Sequence, residues 1–236
     1  MRWLHGICGL AIALSGAITL PGLAAGERTL VPAEMIAWSP IEFAGHTRYT
    51  RVEAPGNAGH DAVLAECRNS SASGLMLERK TSLQQTPILE WRWRVDSVYT
   101  DIDETEKSGD DYPARIYVVA ERWPRFRSRI INYVWSSSRS EGDTWDNAFA
   151  SQFRMIAIQS GESRLGEWMT ERRDVLADFR RLHGIEPDHV DALAIMTDCD
   201  NAGQRANAWY GPIRWLPDDY AGDRQPAAKA QRGSGH

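Results

Sequence analysis

Hydrophobic and polar residues alternate along several short segments of the chain. In residues 90–96, Trp91, Trp93 and Val95 occupy alternate positions, with charged residues between them. This two-residue period is typical of a strand that buries one face. Seven more segments have a strand-like composition: residues 63–66, 75–79, 114–120, 130–136, 153–159, 192–197 and 208–216. Turn residues separate them, so the pattern predicts a mainly β, single-domain sandwich or jelly roll.

One segment has the period of a helix instead. Val175, Leu176 and Phe179 share a face, Asp174 can accept hydrogen bonds from the first turn, and Gly184 follows as a C-terminal cap. We therefore expect one short helix near residues 174–183, packed across an edge or a mouth of the sandwich.

The two ends of the chain depart from the strand pattern. Residues 1–25 combine Arg2, an apolar run and small residues near Ala24, which predicts a secretory signal peptide; an uncleaved anchor is the alternative. Residues 36–217 form the predicted sandwich domain. Residues 218–236 have almost no apolar content and are expected to be disordered. No other segment approaches a membrane span, so a periplasmic or secreted protein is expected.

Composition and charge limit the classes of molecule that the protein is expected to bind. The formal net charge is −5 at pH 7, and we expect no basic block able to neutralise a nucleic-acid backbone, which argues against nucleic acid as a partner. All tryptophans except Trp3 lie outside the predicted signal; most are expected in the core, although exposed ones also stack on sugars. After export, Cys67 and Cys199 could pair, or each could be a buried thiol.

Common catalytic signatures are missing. The sequence has no G-x-S-x-G, no H-E-x-x-H, no phosphate-binding glycine loop and no C-x-x-C. We therefore expect no cofactor and assign no metal ligands. Candidate chemistry rests on carboxylates, several of which crowd residues 101–111. The first four of these (Asp101, Asp103, Glu104 and Glu106) fit a solvated charged loop.

Asp110 and Asp111 differ from those four because they lead directly into the predicted strand 114–120. They would lie at a strand mouth near Arg115. Arg115 could pair with Asp111 and fix the loop, or it could leave both acids free for a ligand.

Two more polar segments and one tryptophan are candidates. Glu171 and Arg173 precede the predicted helix and fall on the same side if that segment is extended. Asp198 and Asp200 follow the predicted strand 192–197. The loop that begins at Asp198 fails as an EF-hand because Ala202 and Trp209 stand where oxygen ligands belong, although calcium bound by scattered carboxylates stays an alternative.

Trp145 lies among turn-forming residues in the segment Gly142-Asp143-Thr144-Trp145-Asp146-Asn147. A tryptophan in such a turn has few neighbours in sequence that would bury it. We therefore expect Trp145 to be an exposed platform for a ligand.

An ordered set of motifs resembles the bacterial family called domain of unknown function 3047. The motifs are Trp91-Arg92-Trp93, Gly109-Asp110-Asp111 through Arg115-Ile116-Tyr117-Val118-Val119, Tyr133-Val134-Trp135, Ser160-Gly161, Leu165-Gly166 with Trp168, Glu171, Arg173-Asp174-Val175, Met196-Thr197-Asp198-Cys199-Asp200-Asn201 and Tyr210-Gly211. The resemblance covers residues 38–216. It implies an exported protein with a strand order similar to galactose-binding-like jelly rolls, which often bind sugars through loops at one end. Cys199 departs from the family pattern, which usually shows threonine, and this argues against a catalytic or disulfide role.

These observations leave three functions open. The first is a non-catalytic module that binds a glycan or another polar small ligand, with Asp110, Asp111, Arg115 and Asp198 supplying hydrogen bonds. The second is a carboxylate-based glycan hydrolase, in which Asp110 or Asp111 faces Glu171 or Asp198. The third is a structural or interaction protein of the cell envelope, whose Asp111–Arg115 and Glu171–Arg173 pairs lock the fold. The oligomeric state stays open.

Overall fold

A computed structural model describes residues 27–218. The predicted signal peptide and all but the first residue of the predicted disordered tail lie outside these residues. The strands run in chain order as follows: β1 (Arg28–Leu30), β2 (Ser39–Ala44), β3 (Arg48–Glu53), β4 (Asp61–Cys67), β5 (Ala72–Ser82), β6 (Ile88–Val95), β7 (Ala114–Ala120), β8 (Arg129–Ser136), β9 (Thr144–Asp146), β10 (Phe153–Ser160), β11 (Met169–Asp174), β12 (His189–Asp198) and β13 (Ala206–Leu216).

The strands form two sheets packed face to face, so the mainly β sandwich fold is confirmed. The smaller sheet has the order β11-β6-β13-β4-β3, with β1 also paired to β13. The larger sheet has the order β2-β5-β12-β7-β8-β10-β9. Neighbouring strands are antiparallel except β8 and β10, which run parallel. Strands β7 and β12 therefore lie in the interior of the larger sheet, where both of their edges are hydrogen-bonded.

Aromatic residues dominate the space between the sheets. Trp91, Trp93 and Val95 are fully buried, as the alternation of β6 predicts. The Trp91 ring stacks on Tyr133 of the opposite sheet at 5.2 Å between centroids and meets Trp93 edge-on at 5.4 Å. Such ring pairs stabilise a core beyond the area that they bury. Most of the tryptophans outside the signal are thus core residues, as expected.

Two helices accompany the sheets among the described residues. The predicted one is α2 (Val175–His183), where the Asp174 side chain accepts a 2.8 Å hydrogen bond from the Ala177 amide and Gly184 ends the helix at φ 64°. A four-residue helix, α1 (Pro32–Met35), was not predicted; it follows β1 and buries Met35. No helix in the described part of the chain is long and apolar enough to cross a membrane.

Each of the eight predicted strands is present. The unpredicted strands are short or polar, and most lie at sheet edges: β1, β2, β3, β9 and β11. Strand β3, Arg48–Glu53, has no buried residue, so burial leaves no apolar period in its sequence. Edge strands pair on one side only, and their sequences resemble those of loops for that reason.

Cys67 and Cys199 form a disulfide that joins the end of β4 to the residue after β12. The expectation, based on the departure at Cys199, that this cysteine has no structural role is therefore wrong. The Cα atoms lie 6.1 Å apart, within the usual range for a disulfide. Because the bond connects the two sheets next to Asp198 and Asp200, it fixes the loop that carries both acids.

Candidate functional site

A cleft of about 400 Å³ lies on the outer face of the larger sheet. Strand alternation sets this face: Ile116 and Val118 of β7 point into the core between the sheets, and Arg115 and Tyr117 point outward. The cleft is lined by Phe43, Ala72, Asp110, Arg115, Tyr117, Asn147, Phe149, Ala150, Phe153, Met196, Asp198, Asp200 and Asn201. It thus brings together four of the predicted site residues, Asp110, Arg115, Asp198 and Asp200, in one concave surface.

Arg115 and Asp198 form an ion pair at the floor of the cleft. An Arg115 Nη2 atom donates to Asp198 Oδ2, and both side chains are almost completely buried. The guanidinium also lies over the rings of Tyr112 and Tyr117, at 5.0 and 5.3 Å. Arg115 therefore contacts Asp198 rather than the expected partner Asp111, because β7 and β12 are neighbours in the sheet and Arg115 is paired with Met196.

The ionisation of this pair depends on two opposing effects. Burial raises the pKa of the Asp198 carboxyl well above its usual value, while the Arg115 guanidinium lowers it. Burial also acts to lower the pKa of Arg115, but Asp198 and its neighbours raise it above its usual value overall. Arg115 is therefore a permanent cation, and together with the hydrogen bond from the Tyr112 amide it favours the ionised form of Asp198.

Asp110, another residue of the cleft lining, is held by Asn147. The Asn147 Nδ2 atom lies 2.7 and 2.8 Å from the two Asp110 carboxylate oxygens, and Asn147 Oδ1 accepts hydrogen bonds from the amides of Phe149 and Ala150. Burial raises the pKa of Asp110, although Arg115 and Asn147 oppose the rise. Asn147 thus positions both a carboxyl group and the exposed Phe149 ring.

Asp111 and Asp200 lie beside Asp198. Both Asp111 oxygens accept hydrogen bonds, one from Asn201 Nδ2 at 3.2 Å and one from the Ala202 amide. Burial, followed by the charge of Asp111, raises the pKa of Asp200. Asp200 lines the cleft, whereas Asp111 holds the loop that follows β12.

Carboxylate oxygens of Asp111, Asp198 and Asp200 lie within 4.8 Å of one another, a spacing that a divalent cation can bridge. However, Asp111 already accepts two hydrogen bonds from its own loop, and Asp198 is paired with the Arg115 cation. A second cation would compete with Arg115 for Asp198. The cluster therefore fits internal hydrogen bonding better than metal ligation.

Gly109 makes the turn that presents Asp110 and Asp111. It ends a 3₁₀ turn, Lys107–Gly109, and a Cβ atom at this position would lie 2.3 Å from the carbonyl oxygen of Asp103. No side chain fits at that distance from backbone, so the turn requires glycine. The turn directs Asp110 into the cleft wall and Asp111 onto the loop that follows β12.

Trp145 is not the exposed platform that we expected. Only 8% of its surface is exposed, and its Nε1 atom donates to the Glu104 carbonyl oxygen at 3.2 Å. The turn segment forms the short edge strand β9, in which Trp145 pairs with Met155 and packs beside Tyr112. Pairing with β10 thus turns the indole onto the sheet, under the loop that carries Glu104.

Glu104 corrects a second expectation, because it is fully buried rather than solvated. Its carboxylate accepts hydrogen bonds from the Ser136 hydroxyl and, at 2.6 Å, from the Ser137 amide. Burial raises its pKa. Glu104 therefore attaches the acidic loop to the end of β8.

Glu171 and Arg173 lie outside the residues that line the cleft, so the expected opposition of Glu171 to Asp110 or Asp111 is wrong. Glu171 accepts hydrogen bonds from Trp93 Nε1 at 3.2 Å and Gln159 Nε2 at 2.8 Å. Arg173 donates to Asp178 of α2, not to Glu171, and Asp178 also accepts from the Tyr133 hydroxyl. These contacts attach the helix to the sandwich. The hypothesis of a structural protein expected Arg173 to lock the fold in this way, but by pairing with Glu171.

Sequence reasoning missed the aromatic walls of the cleft. Phe43 is 66% exposed and Phe149 is 56% exposed, and both line the cleft beside Tyr117 and Phe153. Phe43 stands in the unpredicted edge strand β2, and Phe149 follows β9 in a turn. A large apolar residue inside a turn segment, as in Asn147-Ala148-Phe149, is the sequence feature that could have indicated an exposed ring.

Comparison with protein families gives a match to the family described as "Protein of unknown function (DUF3047)" over residues 36–214. The match covers most of the chain and includes every residue of the cleft. Comparison with curated proteins gives no match.

Several solved structures share the sandwich architecture at low similarity. The glycoside hydrolase domain of Endo-D from Streptococcus pneumoniae R6 is 10% identical, with a TM-score of 0.40, 76% of this chain covered and 21% of that chain. Endoglucanase cel12A from Rhodothermus marinus is 11% identical, with a TM-score of 0.38 and coverage of 80% and 100%. A xylan-binding module, CBM86, from Roseburia intestinalis is 10% identical, with a TM-score of 0.31 and coverage of 83% and 98%.

This chain spans about a fifth of the length of the first of these structures. The neighbours include both glycan-binding modules and glycoside hydrolases, and at these scores the likeness concerns the fold alone.

Proposed function

The chain belongs to the DUF3047 family, and we propose that it is an exported, non-catalytic protein that binds a neutral glycan in the cleft on the larger sheet. The observation that carries the proposal is the combination of two exposed phenylalanines, Phe43 and Phe149, with a floor of carboxylates, amides and one arginine. The volume of about 400 Å³ lies within the range of small-ligand sites.

The charge of the cleft favours a neutral ligand that is rich in hydroxyl groups. Asp110, Asp198 and Asp200 are acids, and Arg115 is the single basic residue in the lining. Ionised carboxylates only accept hydrogen bonds, so the surface favours a ligand with hydrogen-bond donors and disfavours an anionic ligand. Sugar hydroxyls donate to carboxylates and accept from the amide groups of Asn147 and Asn201.

The aromatic walls favour a ligand with flat apolar faces. Phe43 and Phe149 line the same cleft, and an exposed apolar patch at a groove is typical of a ligand-binding surface. A sugar ring presents hydroxyl groups at its edge and C–H groups on its faces. It can therefore hydrogen-bond to the floor of the cleft while its faces pack on Phe43 and Phe149.

The contacts of the acids favour binding over catalysis. Asp198 is paired with Arg115, and both oxygens of Asp110 lie within hydrogen-bond distance of Asn147. A glycosidase needs one carboxyl group free to transfer a proton and a second free to act as base or nucleophile. A hydrolase is nevertheless a second candidate, because the raised pKa values of Asp110 and Asp200 are what a general acid requires.

A glycan array with paired variants tests the proposal. We expect the wild-type protein to bind a subset of neutral oligosaccharides, and the double variant Phe43→Ala/Phe149→Ala to lose that signal. The matched control is Trp123→Ala/Phe126→Ala, which removes two still more exposed rings outside the cleft lining. Mass spectrometry of the bound oligosaccharide after incubation distinguishes the candidates, since a shortened product means hydrolysis. An array without glycan binding would overturn both.

Export is part of the same proposal, and the Cys67–Cys199 disulfide supports it because such bonds persist in oxidising compartments. We expect the full chain, expressed in a Gram-negative host, to be recovered outside the cytoplasm with both thiols resistant to alkylation. Recovery in the cytoplasm with alkylated thiols would contradict export.

A further inference from the structure

The loop between β7 and β8, residues 121–128, carries an aromatic and basic tip outside the cleft. Trp123 is 87% exposed and Phe126 is 67% exposed, the two highest values for large hydrophobic residues in the described part of the chain. The loop follows Ala120, at the opposite end of β7 from Arg115. A strand advances about 3.3 Å per residue, so the tip lies on the order of 20 Å from the floor of the cleft.

The charge of this loop is strongly positive. Residues 121–129 hold four arginines against a single acid, Glu121. The expectation that the chain has no basic block therefore does not hold here. Arg122, Arg125 and Arg127 are exposed, and none of them has an acidic partner within salt-bridge distance among residues 27–218.

Internal hydrogen bonds hold the tip in shape. The Arg127 amide donates to the Pro124 carbonyl oxygen at 2.8 Å, and the Ser128 amide donates to Arg125 at 3.0 Å. The buried Ser128 hydroxyl accepts from the Arg122 amide, which closes the base of the loop. Arg129 Nη1 lies 3.0–3.4 Å from three consecutive carbonyl oxygens of the loop. The two rings are therefore held away from the domain by an ordered loop.

A second concave surface of about 340 Å³ adjoins the tip. Phe126 forms part of its lining together with the polar and basic residues Arg129, Gln152, Arg154 and His183. The surface thus extends the positive charge from the loop onto the start of β8, where Arg129 lies, whereas Arg154 of β10 is ion-paired with Asp146. An anionic group beside Phe126 would meet the Arg129 guanidinium here.

We propose that the 121–128 loop docks the protein onto an anionic phospholipid surface, with Trp123 and Phe126 in the interface and the arginines against lipid phosphates. Aromatic residues favour the boundary between headgroups and acyl chains, and arginines beside them are attracted to anionic lipid. A hydrated polyanion would satisfy the arginines but would leave both rings in water. The exposed rings therefore favour a membrane over a soluble anionic polymer.

Co-sedimentation with vesicles tests this proposal on the full folded protein. Binding is expected to vesicles of phosphatidylcholine with 30% phosphatidylglycerol and to be at least tenfold weaker with phosphatidylcholine alone. Trp123→Ala/Phe126→Ala is expected to weaken binding to the anionic vesicles by at least about tenfold. Arg122→Gln/Arg125→Gln/Arg127→Gln is expected to weaken it roughly 100-fold, because each arginine near the surface contributes about 1 kcal/mol.

Two controls separate the docking surface from the cleft and from loss of folding. Phe43→Ala/Phe149→Ala removes the same number of exposed rings from the cleft and should bind vesicles like the wild type. Unchanged thermal unfolding of each tip variant shows that the fold is intact, as expected for side chains on an exposed loop. Loss of vesicle binding by the cleft variant to the same extent would overturn the proposal.

Dextran sulfate serves as the soluble polyanion probe. We expect it to bind more weakly than the anionic vesicles and with no dependence on Trp123 and Phe126. Equal or tighter binding of dextran sulfate, or vesicle binding that the aromatic variant retains in full, would assign the loop to a polyanion and overturn membrane docking. Absence of vesicle binding at low salt would overturn it as well.

Discussion

Opening the Cys67–Cys199 disulfide is expected to destabilise the protein strongly. The bond joins residues 132 positions apart, and the loop-closure entropy for a loop of this length corresponds to about 5 kcal/mol at 25 °C. Both cysteines are fully buried, so replacing them with alanine adds no apolar surface to the exterior of the folded protein. The cross-link connects the end of β4 to the residue after β12, and the loss should therefore affect the sandwich as a whole.

Equilibrium unfolding in urea measures the effect. With a typical urea dependence for a domain of this size, 5 kcal/mol lowers the midpoint by roughly 2 M. The double variant Cys67→Ala/Cys199→Ala and the wild type in reductant should show the same loss. The double variant should be insensitive to reductant, which controls for other effects of the reagent.

Ligand binding should follow the same change, because Cys199 separates Asp198 from Asp200. Once the bond is open, the segment that carries both acids is held by noncovalent contacts alone, such as the Arg115–Asp198 ion pair and the hydrogen bond from the Ala202 amide to Asp111. A reductant effect on wild-type unfolding of less than about 1 kcal/mol would refute the reasoning, because the bond would then constrain neither the unfolded chain nor the loop.

Three further predictions concern the floor of the cleft. Arg115→Met should cost about 3–5 kcal/mol in a urea titration by leaving Asp198 buried and unpaired, whereas Arg115→Met/Asp198→Leu should cost less; an equal cost would mean that the unpaired charge is unimportant. Gly109→Ala should destabilise by more than about 1 kcal/mol in the same assay, since its Cβ would lie 2.3 Å from the Asp103 oxygen; an unchanged midpoint would contradict the turn geometry. Because burial raises the pKa of folded Asp110, its contribution to stability is fully present below its unfolded pKa of about 3.9 and is lost as pH rises through the folded value. The unfolding free energy of Asp110→Asn should accordingly fall less than that of the wild type between pH 4 and 7, and identical pH profiles would contradict this assignment.

The fold was largely predictable because burial leaves a period in the sequence. Strand β6 alternates between the tryptophans of the core and charged residues at the surface, and α2 shows its cap, its apolar face and its terminal glycine. Strands without a buried face leave no such pattern. Strand β3 consists of exposed and half-buried residues, and β9 is a three-residue strand whose pairing with β10 buries Trp145.

The candidate site was predictable in its residue types but not in its pairings. Asp110, Arg115, Asp198 and Asp200 were all expected at a site, and all of them line the cleft. The partner of Arg115 depends on which strands are neighbours and in which register, and Asp198 is 83 residues away in sequence. No local pattern encodes such a contact.

The sequence also did not predict which aromatic side chains are exposed. Trp145 and Phe149 both lie in a segment rich in turn-forming residues, yet Phe149 is exposed and Trp145 is buried. The difference arises from tertiary contacts of β9 with β10 and with the Glu104 loop. The net charge of the chain does not reveal the arginine-rich loop 121–128, because the positive charge of the loop is local and the chain as a whole is negative.

Calorimetric titration tests the central claim, that the cleft on the larger sheet binds a neutral glycan. The ligand is the oligosaccharide with the strongest signal on the array, titrated into the wild type, Phe43→Ala/Phe149→Ala and Trp123→Ala/Phe126→Ala. We predict a single site in the wild type and in the second variant, and binding at least about tenfold weaker in the first, because burial of each ring contributes more than 1 kcal/mol. Equal affinity of all three proteins would contradict the claim and locate the ligand outside the cleft.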